Sequence, residues 1–180
     1  MGTIKYNLDK IKNPRKKRLA QEHMGLDKIC KNMNHISYEL GARKFPPDTY
    51  LVHYNVLSIQ GIDKNQNPIY GNKHTVEIKI PLNYPMEAVQ CYMKTPIWHP
   101  NIKSKGVHKG RICSNTKRFG KNYNIGLLVQ RIGEILAYQN YHAINTPPFP
   151  EDETVARWVR EYAEPKGFIN PEKGLIPPKS

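Results

Sequence analysis

The chain has 180 residues, enough for one domain with its own core, and it contains no apolar run long enough to cross a membrane as a helix. A net charge of +13 suits an acidic partner or nucleic acid, but no stacking aromatic stripe and no nucleic-acid-reading module accompanies it, so nucleic acid is not an expected partner. Three widely separated cysteines, Cys30, Cys91 and Cys113, exclude a disulfide framework, and His99, His108 and Cys113 fit no standard zinc spacing, so no metal is expected.

In chain order, Met1-Gly2-Thr3-Ile4-Lys5-Tyr6 lacks the apolar stretch of a secretory signal, and Tyr6 stands where a myristoylation motif requires Ser or Thr. A cytoplasmic protein with no membrane partner is the expectation. A helix is predicted over 13 to 33: Asn13 can cap it, Pro14 suits its first turn, and Leu19, Leu26, Ile29, Cys30 and Met33 make one apolar stripe. Cys30 on that stripe reads as a core thiol. The other face carries Arg15, Lys16, Lys17, Arg18 and Lys28, either a solvated face or a docking surface for an acidic partner.

The period then changes to two. Ile36 to Leu40 is a short strand, and Pro46-Pro47-Asp48 is a turn. From Tyr50 to Ile59, Tyr50, Val52, Tyr54 and Val56 fall on one side, with Leu51, Leu57 and Ile59 on the other. Gly61 to Pro68 is a hairpin loop, His74 to Ile80 a third strand, and Val89 to Met93 a fourth that assigns Cys91 to a sheet face. The result is a four-stranded antiparallel meander.

Residues 94 to 124 show no period, and irregular stretches of such length tend to be functional. His99-Pro100-Asn101 is a stiff polar corner, because Pro100 fixes its own φ and restricts His99 before it. After a basic loop and Gly110-Arg111-Ile112 comes Cys113, a candidate nucleophile with a carboxamide donor near it in sequence. Asn124 caps a second helix with Ile125, Leu128, Ile132, Ile135 and Leu136 as its stripe. Glu151, Asp152 and Glu153 suit the positive end of a third, whose Val155, Trp158, Val159 and Tyr162 face inward and which Pro165 stops. Residues 166 to 180 are expected to be a poorly ordered tail.

This order of elements resembles the catalytic domain of ubiquitin-conjugating enzymes. Tyr84-Pro85 is similar to the family's Tyr-Pro after the third strand. Thr95, Ile97 and His99-Pro100-Asn101-Ile102 resemble its signature loop, and Gly110-Arg111-Ile112-Cys113 resembles the segment ending in its catalytic cysteine. The resemblance implies an α+β fold: an N-terminal extension over 1 to 12, a catalytic domain over 13 to 163 and a tail over 164 to 180. It also implies a transferase that needs no cofactor. Cys113 would accept the C-terminal carbonyl of ubiquitin or a ubiquitin-like protein from an activating enzyme, as a thioester. It would then pass the carbonyl to a lysine amine of a protein substrate, usually with a ligase holding the complex. The alternative is a non-catalytic modifier-binding scaffold of the same fold, against which the retained Cys113 argues.

Asn101 could donate to the oxyanion of the tetrahedral intermediate or simply tie the loop to itself. His99 orients the loop in the family, and its rival role is a base paired with the thiol. The chain also departs from the family. The stretch from Asn101 to Cys113 is longer than usual, adding a basic flap at 103 to 109 that could lower the thiol's pKa, touch an acidic modifier tail or simply be solvated. Met86-Glu87-Ala88 replaces a Pro pair, and Tyr123 takes the place of a Trp. The place of an acidic residue that assists the incoming lysine falls near His142-Ala143, and His142 is either its titratable substitute or an ordinary surface histidine.

Overall fold

The computed structural model describes residues 4–41, 44–113 and 124–177. Helix α1, Pro14–Asn32, starts where the Asn13 side chain accepts the Lys16 amide at 2.9 Å, with Pro14 in the first turn, where no donor is needed. Strands β1 (Ile36–Leu40), β2 (Thr49–Ile62), β3 (Pro68–Lys79) and β4 (Gln90–Met93) form one antiparallel sheet in sequence order, so the expected meander is present. β2 and β3 outrun their simple alternation. Irregularities between Asn55 and Ser58 and between Ile59 and Gly61 reset the period without ending the ladder. Tyr50, Val52 and Tyr54 therefore face one core, while Ile59 joins a second one around Val155, Trp158 and Val159.

Helix α2, Ile125–Leu136, is capped by Asn124, whose side chain accepts the Leu127 amide at 3.0 Å. It packs against α1 and the sheet, and the Tyr54 hydroxyl donates to the Val129 carbonyl at 3.0 Å. Leu128, Val129, Ile132 and Leu136 are buried at that junction, each worth about 1.5 to 3 kcal/mol of transfer free energy. Helix α3, Glu153–Trp158, is shorter than its sequence pattern and continues as a π turn, Val159–Ala163. Asp152 caps it by accepting the Val155 amide at 3.2 Å.

The tail expected over 166 to 180 is instead an ordered hairpin over its described part. β5 (Ile169–Asn170) pairs with β6 (Gly174–Leu175), Ile169 is buried, and the Leu175 amide donates to the Ala137 carbonyl at 3.1 Å. Its glycines are there for turn geometry. Gly174 has φ 88°, and a Cβ there would sit 2.8 Å from the Ala137 carbonyl oxygen. Residues 178–180 lie outside the described residues, as does Tyr123. Residues of the N-terminal extension lie on α1: the Ile4 amide donates to Asp27 at 3.1 Å, and the Tyr6 hydroxyl is 2.8 Å from His23 Nδ1. Among the described residues no helix is long and apolar enough to cross a membrane.

Candidate active site

The segment leading to Cys113 is an extra strand-like edge laid between β4 and the His-Pro-Asn corner. The Met93 amide donates to the Gly110 carbonyl at 2.8 Å and the Ile112 amide to the Cys91 carbonyl at 2.9 Å. On its other side Ile102 and Ile112 form a bridge, and the Cys113 amide donates to the Asn101 carbonyl at 2.8 Å. Gly110 permits this approach. Its φ is 85°, and a Cβ would stand 2.7 Å from the Met93 carbonyl oxygen. The backbone thus delivers Cys113 to a partly exposed position beside Asn101.

Asn101 joins the other three candidate residues. Its backbone amide donates to His99 Nδ1 at 3.1 Å. Its side-chain Oδ1 accepts the His142 amide at 2.9 Å, and its Nδ2 donates to the Cys113 carbonyl at 3.4 Å. Both ends of the buried carboxamide are therefore occupied by loop backbone, the geometry of a residue that ties 99–101, 113 and 142 together. His99 is wholly buried, and that burial pushes its imidazole down to about 3. A sealed neutral ring whose Nδ1 holds the corner's own amide is a structural part of that corner.

His142 is buried rather than an ordinary surface histidine. Its Nε2 lies 2.9 Å from the Thr146 carbonyl, which can only accept, so Nε2 carries the proton and the neutral ring's lone pair is on Nδ1. The basic flap is anchored at its base. Asp152 accepts both the Ser104 amide at 2.9 Å and the Ser104 hydroxyl at 2.5 Å, while Glu151 pairs with Arg111 at 2.6 Å. Its tip, with Val107, is exposed. Among the described residues no group of three His, Cys, Asp or Glu side chains is placed to hold a metal.

The sequence profile of the ubiquitin-conjugating enzyme family matches residues 38–147, which include the corner, the flap, Cys113 and α2. The chain belongs to the ubiquitin-conjugating enzyme family. It is similar to ubiquitin-conjugating enzyme E2 21 of Caenorhabditis elegans, at 29% identity over 66% of this chain and 60% of that relative. Against human ubiquitin-conjugating enzyme E2 K it shows 25% identity over 81% of this chain and 58% of the relative. The chain thus spans about 60% of the length of these curated relatives. The E2 domain of a Toxoplasma gondii ubiquitin conjugating enzyme shares the fold, with a TM-score of 0.51 at 22% identity, covering 79% of this chain and 87% of that one.

Within this family member, three supports of the site escape a sequence reading. Glu22 is buried on α1, where its Oε2 accepts the Ile125 amide at 2.7 Å and so holds the start of α2. Its Oε1 accepts from Arg18 and from the Tyr84 hydroxyl, both at 2.8 Å. The available signal was a charge at the third place after Leu19 and the fourth before Leu26, on the apolar face. Tyr138 packs on the His99 ring with centroids 4.4 Å apart, and its hydroxyl donates to the Trp98 carbonyl. Glu151, the third, fastens the strand that leads to Cys113 through Arg111. For Tyr138 and Glu151 no local pattern marks the role.

Proposed function

We propose that this chain is a conjugating enzyme that carries ubiquitin or a ubiquitin-like modifier on Cys113. One observation carries the reading: Cys113 is a partly exposed thiol at the end of a backbone segment fixed on both sides, directly beside the family's His-Pro-Asn corner. The thiol attacks the thioester joining the modifier's C-terminal carbonyl to an activating enzyme. A new S–C bond forms, the old one breaks, and the proton passes to the departing thiolate. A lysine amine of the substrate then attacks the same carbonyl, the tetrahedral intermediate collapses, and the sulfur leaves and is reprotonated. ATP is consumed upstream by the activating enzyme, so this chain works without a cofactor. A ligase would hold charged enzyme and substrate together.

In this reading Asn101 and His99 are positioning residues, because their polar groups hold the loop. His142 supplies a backbone amide to Asn101, and in the tautomer that donates Nε2–H to Thr146 its Nδ1 is the nitrogen that would accept a proton from an incoming amine. The test mixes the chain with an activating enzyme, ATP and candidate modifiers, then runs gels with and without reductant. A reductant-sensitive adduct should form with wild type, Cys30→Ala and Cys91→Ala, and be absent with Cys113→Ala at unchanged thermal stability. An adduct that survives Cys113→Ala removes the assignment. A modifier that binds without any adduct makes the chain a scaffold.

A further inference from the structure

Next to the strand that carries Cys113 lies a basic cleft for which the thioester chemistry has no use. Segment 94–98 and the flap enclose about 500 Å³, lined by Lys94, Lys103, Lys105 and Lys109 over a floor that includes Pro96 and Trp98. Two of these cations have partners. Lys103 Nζ donates to the Glu151 carbonyl at 3.3 Å, and Lys94 lies 3.7 Å from Glu77, which Lys79 holds at 3.0 Å. Lys105 and Lys109 are exposed and pair with no carboxylate among the described residues. The acids that anchor the flap are already engaged, Glu151 by Arg111 and Asp152 by Ser104.

The flap that presents these lysines is braced by its own backbone. The Gly110 amide donates to the Lys103 carbonyl at 2.7 Å, the Lys103 amide to the Arg111 carbonyl at 3.0 Å and the Lys109 amide to the Gly106 carbonyl at 3.0 Å. Like charges held around one concave surface repel each other and raise the local concentration of anions. A ligand with carboxylates relieves that repulsion.

We propose that this cleft binds an acidic polypeptide segment, with Asp or Glu side chains at Lys105 and Lys109 and apolar side chains on the floor by Pro96 and Trp98. A polypeptide fits better than single-stranded nucleic acid. Bases need an open aromatic face on which to stack, and Trp98 is only partly exposed and packs edge-on against Trp158 with centroids 6.4 Å apart. Gly110 is part of the cleft's lining, so a bound segment lies close to the strand-like edge that leads to Cys113. Binding itself does not require a charged thiol, and the proposal goes beyond the thioester reading.

The experiment titrates a fluorescein-labelled peptide of Glu, Asp and Leu with the full chain, reading anisotropy at about 0.1 M salt. Wild type should bind, and Lys105→Glu with Lys109→Glu should weaken binding by roughly tenfold or more. Lys64→Glu with Lys173→Glu, exposed lysines outside the cleft, makes the same change in net charge and should leave binding within about twofold. The pair Lys105→Gln with Lys109→Gln repeats the loss without charge reversal, at unchanged thermal unfolding. Absence of wild-type binding, equal weakening by the control pair or undiminished binding by the Gln pair would each overturn the proposal. So would tighter binding of oligouridine that is lost with the cleft pair, which would make the cleft a nucleic-acid site. Thioester gels on the same proteins keep the two readings apart. A wild type that never charges but binds the peptide sinks only the carrier role, and a cleft pair that charges but no longer binds isolates the cleft.

Discussion

Surroundings distinguish the three thiols. Burial pushes Cys91 up to about 12, and burial together with nearby Asp27 pushes Cys30 up to about 11. At pH 8 roughly one Cys91 in ten thousand and one Cys30 in a thousand would be thiolate. Iodoacetamide at that pH should add one label to the native protein, at Cys113, and three after unfolding, as counted by mass spectrometry. A native protein labelled first at Cys30 would contradict this order. Asn101 tests the other half of the site. Asn101→Ala leaves the His142 amide without its buried acceptor, a loss of about 1 to 3 kcal/mol in urea unfolding. Because the carboxamide holds the loop through both its ends, charging and discharge to lysine should slow by the same factor. A defect confined to discharge would return the amide to oxyanion stabilisation.

At the scale of elements, Asp152 links the start of α3 to the flap. It caps the helix through the Val155 amide and fastens Ser104 by two hydrogen bonds. Asp152→Ala should cost about 2 to 3 kcal/mol and speed hydrogen exchange at the Ser104 amide. Asp152→Asn should recover only part of that stability: its one oxygen can still cap Val155, but its NH2 cannot accept the Ser104 amide as the second carboxylate oxygen does. Unchanged exchange at Ser104 in the Ala variant would mean the flap is held elsewhere. The caps at Asn13 and Asn124 were legible in the sequence because capping is a local rule. The C-terminal hairpin was not, because its anchor is the Ala137 carbonyl, remote in sequence. The start of β3, ahead of His74, was hidden for a different reason: it pairs with the part of β2 where irregularities reset the period-two pattern by which a strand is recognised. The site divides in the same way. His99, Asn101 and Cys113 announce themselves as a motif, whereas Glu22 acts on Ile125, 103 residues away, and can be found only once the chain is folded.

For the whole molecule, the buried histidines set the acid limit of the fold before the carboxylates do. His23, His74 and His99 all have their imidazoles held below the ordinary 6.5, in each case first by burial. His23 shows how the neutral form is served. With Tyr6 donating to Nδ1, Nε2–H donates to the Tyr38 oxygen, and the Tyr38 hydroxyl passes on to Asp27. Below pH 6.5 the unfolded chain takes up protons on these rings more readily than the folded chain does, so stability falls as pH falls. His99, pushed down to about 3, should alone remove about 2 kcal/mol between pH 7 and pH 5. Asp152 behaves differently. Burial alone would raise its carboxyl, but the Ser104 and Val155 hydrogen bonds hold it below the usual value, so its contribution persists above about pH 4 and is lost only below it. Urea unfolding at a series of pH values should therefore show two declines, one beginning near pH 6.5 and a second below about pH 4, with Asp152→Asn flattening only the second. A stability that stayed level from pH 7 to pH 5 would mean that the His99 ring takes up its proton inside the folded corner, and the neutral imidazole that receives the Asn101 amide would have to be abandoned.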